Sequence, residues 1–73
     1  MTLNQVPVGS TATLADTSAH ASSRRLAKLG LRPGADVLVM RRTAGGGRLL
    51  GIGHSRMAVD RATLRTLHVE LPR

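Results

Sequence analysis

The sequence contains no cysteine and no phenylalanine, tyrosine or tryptophan. The first absence excludes a disulfide framework, a thiolate metal site and a cysteine nucleophile, so nothing in the chain calls for an oxidising compartment. The second means that Leu, Val, Ile, Met and Ala must supply the whole core. In 73 residues they can build one domain, with a stability margin of about 3–5 kcal/mol. No window approaches the roughly 20 apolar residues of a membrane span. The stretch Met1 to Ser10 lacks both the basic segment and the apolar segment of a secretion signal. The expected location is the cytoplasm.

Acidic residues are also scarce. Four Asp and Glu stand against eleven Lys and Arg, which leaves a formal charge of +7. Such a field attracts polyanions, acidic protein faces and anionic lipid. It is nonetheless unspecific. Arginine carries nearly all of it, scattered as Arg24, Arg25, Arg41, Arg42, Arg48, Arg56, Arg61 and Arg65 with no run of five or more, and a high-GC coding bias produces the same composition.

What is present reads as short strands separated by turns. After Pro7 and Gly9-Ser10, the alternating stretch Thr11 to Ala15 suits a half-buried first strand. A helix is predicted over Ser23 to Leu29, with Ser22 or Ser23 as its N-cap and Gly30, Leu31 and Pro33 as its stop. Gly30 at C′ pairs Leu31 at C″ with Leu26 at C3, the apolar contact of a Schellman motif. Leu26 and Leu29 share one face, Arg24, Arg25 and Lys28 another, and two turns need a sheet to rest on. Leu26, Leu29 and Leu31 are accordingly expected in the core and cap.

Arg32-Pro33-Gly34 forms a turn into a strand over Ala35 to Arg42, with Val37 and Val39 on one face and Leu38 and Met40 on the other. One face belongs to the core; the second is either covered by the helix or left as a patch. A flexible loop, Thr43 to Gly47, precedes a strand around Leu50 and Ile52, where Gly51 and Gly53 permit a sharp bend. Beyond a turn at His54-Ser55, Arg56 to Val59 leads to Asp60, placed to cap a single turn Arg61 to Leu64. The last strand is Leu67 to Leu71, with Leu67, Val69 and Leu71 on one face. The predicted fold is mostly β: a small SH3-like barrel of about five strands with one short helix after the first.

Candidates for chemistry are few. Asp16, Asp36, Asp60, Glu70, His20, His54 and His68 show no catalytic spacing, so no enzyme is expected. His68 and Glu70 lie two apart on one strand face, a pair that can ligate Fe(II) but is far more often a solvated face. No metal site and no cofactor is expected. The cations permit phosphate contacts, yet without an aromatic residue to stack a base, specific nucleic-acid recognition is not expected. A basic barrel binding RNA is the alternative function.

Four blocks of residues resemble the ferrous-iron-transport protein A (FeoA) family, over Leu3 to Glu70. They are Gly9-Ser10-Thr11-Ala12-Thr13-Leu14; Arg25-Leu26 with Leu29-Gly30-Leu31-Arg32-Pro33-Gly34; Val37-Leu38-Val39 with Arg41; and Met57-Ala58-Val59-Asp60-Arg61 to Leu67-His68-Val69. The chain departs from the family at Thr43 to Leu49, glycine-rich where a Pro-Leu-Gly-Asp-Pro turn is usual, and at Asp60, where a basic residue is common. The resemblance implies a cytosolic SH3-like barrel that assists the ferrous-iron permease FeoB, a membrane protein with a cytosolic nucleotide-binding domain. The module is similar as well to the C-terminal domain of iron-dependent repressors of the diphtheria-toxin-repressor class; with no DNA-binding helices ahead of it in this sequence, a repressor is not expected. On this basis the expected function is docking on FeoB through Leu38 and Met40, with Arg24, Arg25 and Lys28 as a basic rim that raises the association rate. Membrane association comes only through that partner, and the two-faced strand allows self-association.

Overall fold

The computed structural model describes residues 1–71. Five strands, β1 (Thr11–Asp16), β2 (Asp36–Arg42), β3 (Arg48–Ile52), β4 (Ser55–Val59) and β5 (His68–Glu70), form one antiparallel sheet in the order β4-β3-β2-β1-β5. Two short helices, α1 (Ser23–Lys28) and α2 (Arg61–Leu64), separate β1 from β2 and β4 from β5. Every strand contributes to a single buried cluster: Ala12 and Leu14 from β1, Val37 and Val39 from β2, Leu50, Val59 and Val69 from the others. One sheet can gather its inward residues this way only by curling on itself, and Leu3, Val6, Leu26, Leu31, Leu64 and Leu67 close the remaining space.

The helix stop is as predicted. Leu31 N–H donates to the Leu26 carbonyl at 2.9 Å and Gly30 N–H to that of Ala27 at 3.1 Å, the two bonds of a Schellman motif. Gly30 has φ +98°, a conformation that costs any side chain with a Cβ. Leu26 and Leu31 are buried, as expected, but Leu29 is 52% exposed. Leu29 is the C-cap, the position that Gly30 at C′ implies, and there its side chain turns outward. Nor does a serine side chain cap the N-terminus. Ser22 N–H instead donates to His20 Nδ1 at 2.9 Å.

The last strand is shorter than expected, and the turns around it take definite form. The final strand stops at Glu70, so Leu71 is 44% exposed and does not join Leu67 and Val69 in the core. The expected loop Thr43 to Gly47 contains a 3₁₀ turn at Ala44–Gly46, closed by Thr43 N–H to the Gly47 carbonyl at 3.0 Å. Asp60 occupies the N-cap of α2 in extended conformation, with its carboxylate set against Thr63 of the first turn. The N-terminal segment, to which the sequence reading assigned no element, forms a 3₁₀ turn at Leu3–Gln5 and pairs along β5: Leu3 N–H donates to the Leu67 carbonyl and Val69 N–H to that of Met1, both at 2.9 Å. It thereby covers a sheet edge that would otherwise be open to pairing.

Candidate functional site

β2 carries the site. Val37 and Val39 are fully buried, so the pleat sends Leu38 outward, where it stays 37% exposed. Leu38 lies opposite Gly51, and Val39 opposite Leu50; the register then slips, so that Arg41 faces Leu49 and Met40 has no partner. Met40 is thus the extra residue of a β-bulge, which redirects its side chain. Its Sδ lies 3.3 Å from where a Cβ on Gly51 would stand, and Leu38 Cβ lies 3.7 Å from the same point. The absent side chain of Gly51, which the sequence suggested as a bend, makes room for two apolar side chains to converge.

The result is an open trough of about 480 Å³ with Gly51 as its floor and Leu38 and Met40 as its walls. Thr11, Asp36, His54 and Arg56 form a polar rim. Asp36 is held in place by the Thr13 hydroxyl, which donates to its Oδ1 at 2.8 Å. Of the five residues anticipated for partner binding, Leu38 and Met40 come together here. Arg24, Arg25 and Lys28 are exposed on α1 and do not line the trough; their helix packs Leu26 into the core. The cation at the rim is Arg56, which sequence reasoning missed because only the β3–β4 register, Gly51 opposite Arg56, brings it there.

Catalytic and metal geometry is lacking among the described residues. Thr63 Oγ1 approaches His20 Nε2 at 3.4 Å, but His20 Nδ1 accepts the Ser22 N–H, so the ring proton sits on Nε2 and no base faces the hydroxyl. His68 and Glu70 do share an exposed strand face, and His68 pairs in register with Asp16, but no three His, Asp or Glu gather closely enough for a metal ion. Asp16 accepts the Ser18 N–H at 2.8 Å, and this bond holds its carboxyl below the usual aspartate value. The Thr63 side chain does the same for Asp60. Both groups are solvent-exposed and structural in character.

Fold and trough together define an SH3-like β-barrel. The family model of the FeoA domain matches residues 1–71, and the chain belongs to the FeoA family. The FeoA protein of Chlorobium tepidum superposes with a TM-score of 0.87 at 25% identity, over 97% of this chain and 70% of that one. FeoA of Stenotrophomonas maltophilia, solved with zinc and described as a prokaryotic SH3 domain protein and candidate ferrous iron transport activating factor, gives 0.75 at 29% identity, over 96% and 89%. A manganese-dependent transcriptional repressor shares the fold at 0.84 and 20% identity, over 99% of this chain and 41% of its own. Comparison with curated protein sequences yields no significant match. Among the described residues, no helix is long and apolar enough to cross a membrane.

Proposed function

We propose that this chain is a cytoplasmic accessory protein of ferrous-iron transport that docks on the cytosolic domain of the permease FeoB and modulates it. Family membership supports the transport role, and the activating-factor description of the Stenotrophomonas relative points the same way. The observation that carries docking is the trough: two apolar side chains left unburied over a glycine floor, on the strand face turned away from the core. An apolar centre with a polar rim is the anatomy of a specific protein interface. Leu38 and Met40 are its anchors. Arg24, Arg25 and Lys28, outside the trough lining, act at longer range by attracting an acidic partner before contact.

The test is a titration of the protein against the permease cytosolic domain at low and near-physiological salt, with random RNA in parallel. Saturable binding that survives salt and is weakened by Leu38→Asp or Met40→Asp in folded variants supports docking. Failure to bind the permease domain, with tight and steeply salt-dependent RNA binding, refutes it in favour of the nucleic-acid alternative. Analytical ultracentrifugation of the free protein separates docking on a partner from self-association through the same face.

A further inference from the structure

The arginines are scattered along the sequence, but the fold gathers three of them. The β2 bulge sets Arg42 directly opposite Arg48, and β4 sets Val59 opposite Arg48 on its other side. Arg48 lies two residues before the buried Leu50 and so points to the core face, at the end of the barrel where the apolar filling stops. Arg61 follows from α2, its stem lying across Gly46 with Cδ 3.1 Å from the position of a Cβ there. These three arginines line one cavity of about 430 Å³ with Asn4, Thr43 and Gly46, and its lining holds no carboxylate. Asp60, next to Arg61 in the chain, lines a neighbouring hollow instead.

The arrangement is costly without an occupant. Like charges directly opposite on adjacent strands repel. Arg48 is half-buried: its Nη1 is fixed by the Gly46 and Gly47 carbonyls at 3.0 and 2.9 Å, while its Nε is buried with no partner. A partly desolvated cation so placed lacks the counter-charge that burial demands. The same anchoring orients the guanidinium in advance, which lowers the cost of binding.

We infer that this barrel mouth is an oxyanion site for a phosphate group. One arginine fork satisfies a carboxylate; the forks of Arg42 and Arg61 beside the anchored Arg48 charge, with a hydroxyl and an amide, suit a tetrahedral dianion with several acceptor oxygens. The site is independent of the trough and of docking.

The test is an NMR titration of the ¹⁵N-labelled full chain with inorganic phosphate, and separately with glycerol 3-phosphate, each against sodium chloride and acetate at matched ionic strength. The expected result is saturable shifts of the Gly46 and Gly47 amides and the Arg48 side chain, with a dissociation constant on the order of 1 mM or below. Arg42→Gln and Arg61→Gln should each weaken it roughly fivefold or more, whereas Leu38→Asp should leave it unchanged. Unliganded Arg42→Gln should melt no lower than wild type, because the substitution relieves the repulsion, and phosphate should raise the wild-type Tm more than the variant's. Binding of the ester as well as the free ion assigns a phosphorylated ligand; binding of the free ion alone assigns inorganic phosphate. Shifts reproduced by chloride, or a titration indifferent to both glutamine variants, overturn the inference.

Discussion

Gly51→Ala separates docking from folding. Gly51 lies within β3 and is not among the glycines of positive φ, so an L-residue fits its backbone without strain. A glycine in a strand interior costs about 0.5–1 kcal/mol relative to alanine, and the substitution should recover much of this. Against the gain stands the 3.3 Å approach to Met40 Sδ, near the end of a flexible side chain that needs to move only a few tenths of an ångström. The net expectation is a Tm unchanged or raised by up to about 8 °C. The added methyl, however, raises the floor of the trough and displaces Met40, the overpacking of a formed interface, worth about 1–3 kcal/mol. Affinity for the permease domain should therefore fall roughly 5- to 150-fold while stability holds. Calorimetric titration and thermal melting of the same preparation read both quantities. A variant that binds as well as wild type refutes the trough as the interface; one that loses more than about 1 kcal/mol of stability shows Gly51 to be structural instead.

Gly30→Ala should destabilise by about 1–2 kcal/mol in urea unfolding, because the left-handed C′ position tolerates no Cβ; were the helix to continue through this residue, alanine would stabilise it by up to about 1 kcal/mol, so the sign decides. Leu31→Ala removes a fully buried side chain and should cost about 2–5 kcal/mol, enough to unfold a domain this small, whereas Leu29→Ala at an exposed cap should stay within about 0.5 kcal/mol; circular dichroism of the pair distinguishes them. Asp16 and Asp60 have carboxyls lowered from an ordinary value of 3.8 in the fold, so their contribution is complete above that value and is lost as pH falls through it toward the lowered one. Stability followed by chemical unfolding from pH 7 to 2 should fall only below about pH 4–5, with a smaller drop in Asp16→Asn; an acid transition unchanged by that substitution would sink the assignment for Asp16.

Local signals proved the most legible. The stop at Gly30, the alternation of β2 and the five-strand order of elements follow from backbone conformation and side-chain period, which act over a few residues and are written in them. Leu29 was misplaced because its i, i+3 spacing from Leu26 suggested a shared buried face, whereas at the C-cap its side chain lies outside the core. Leu71 was misplaced because alternation persists on paper after hydrogen-bonded pairing has ended. The N-terminal cover of β5 left no sequence signal, since backbone pairing of Met1 and Leu3 needs only exposed N–H and C=O groups.

The two candidate sites divide the same way. That Leu38 and Met40 lie on the face opposite Val37 and Val39 was decided by a period of two, within one strand. That Met40 bends over Gly51, that Arg56 and not Arg24, Arg25 or Lys28 stands at that rim, and that Arg42, Arg48 and Arg61 share a cavity were decided by register between strands and by one bulge. Register is a property of two segments at once. A single slip between Val39 and Arg41 moves every later pairing, and nothing in either segment alone records it.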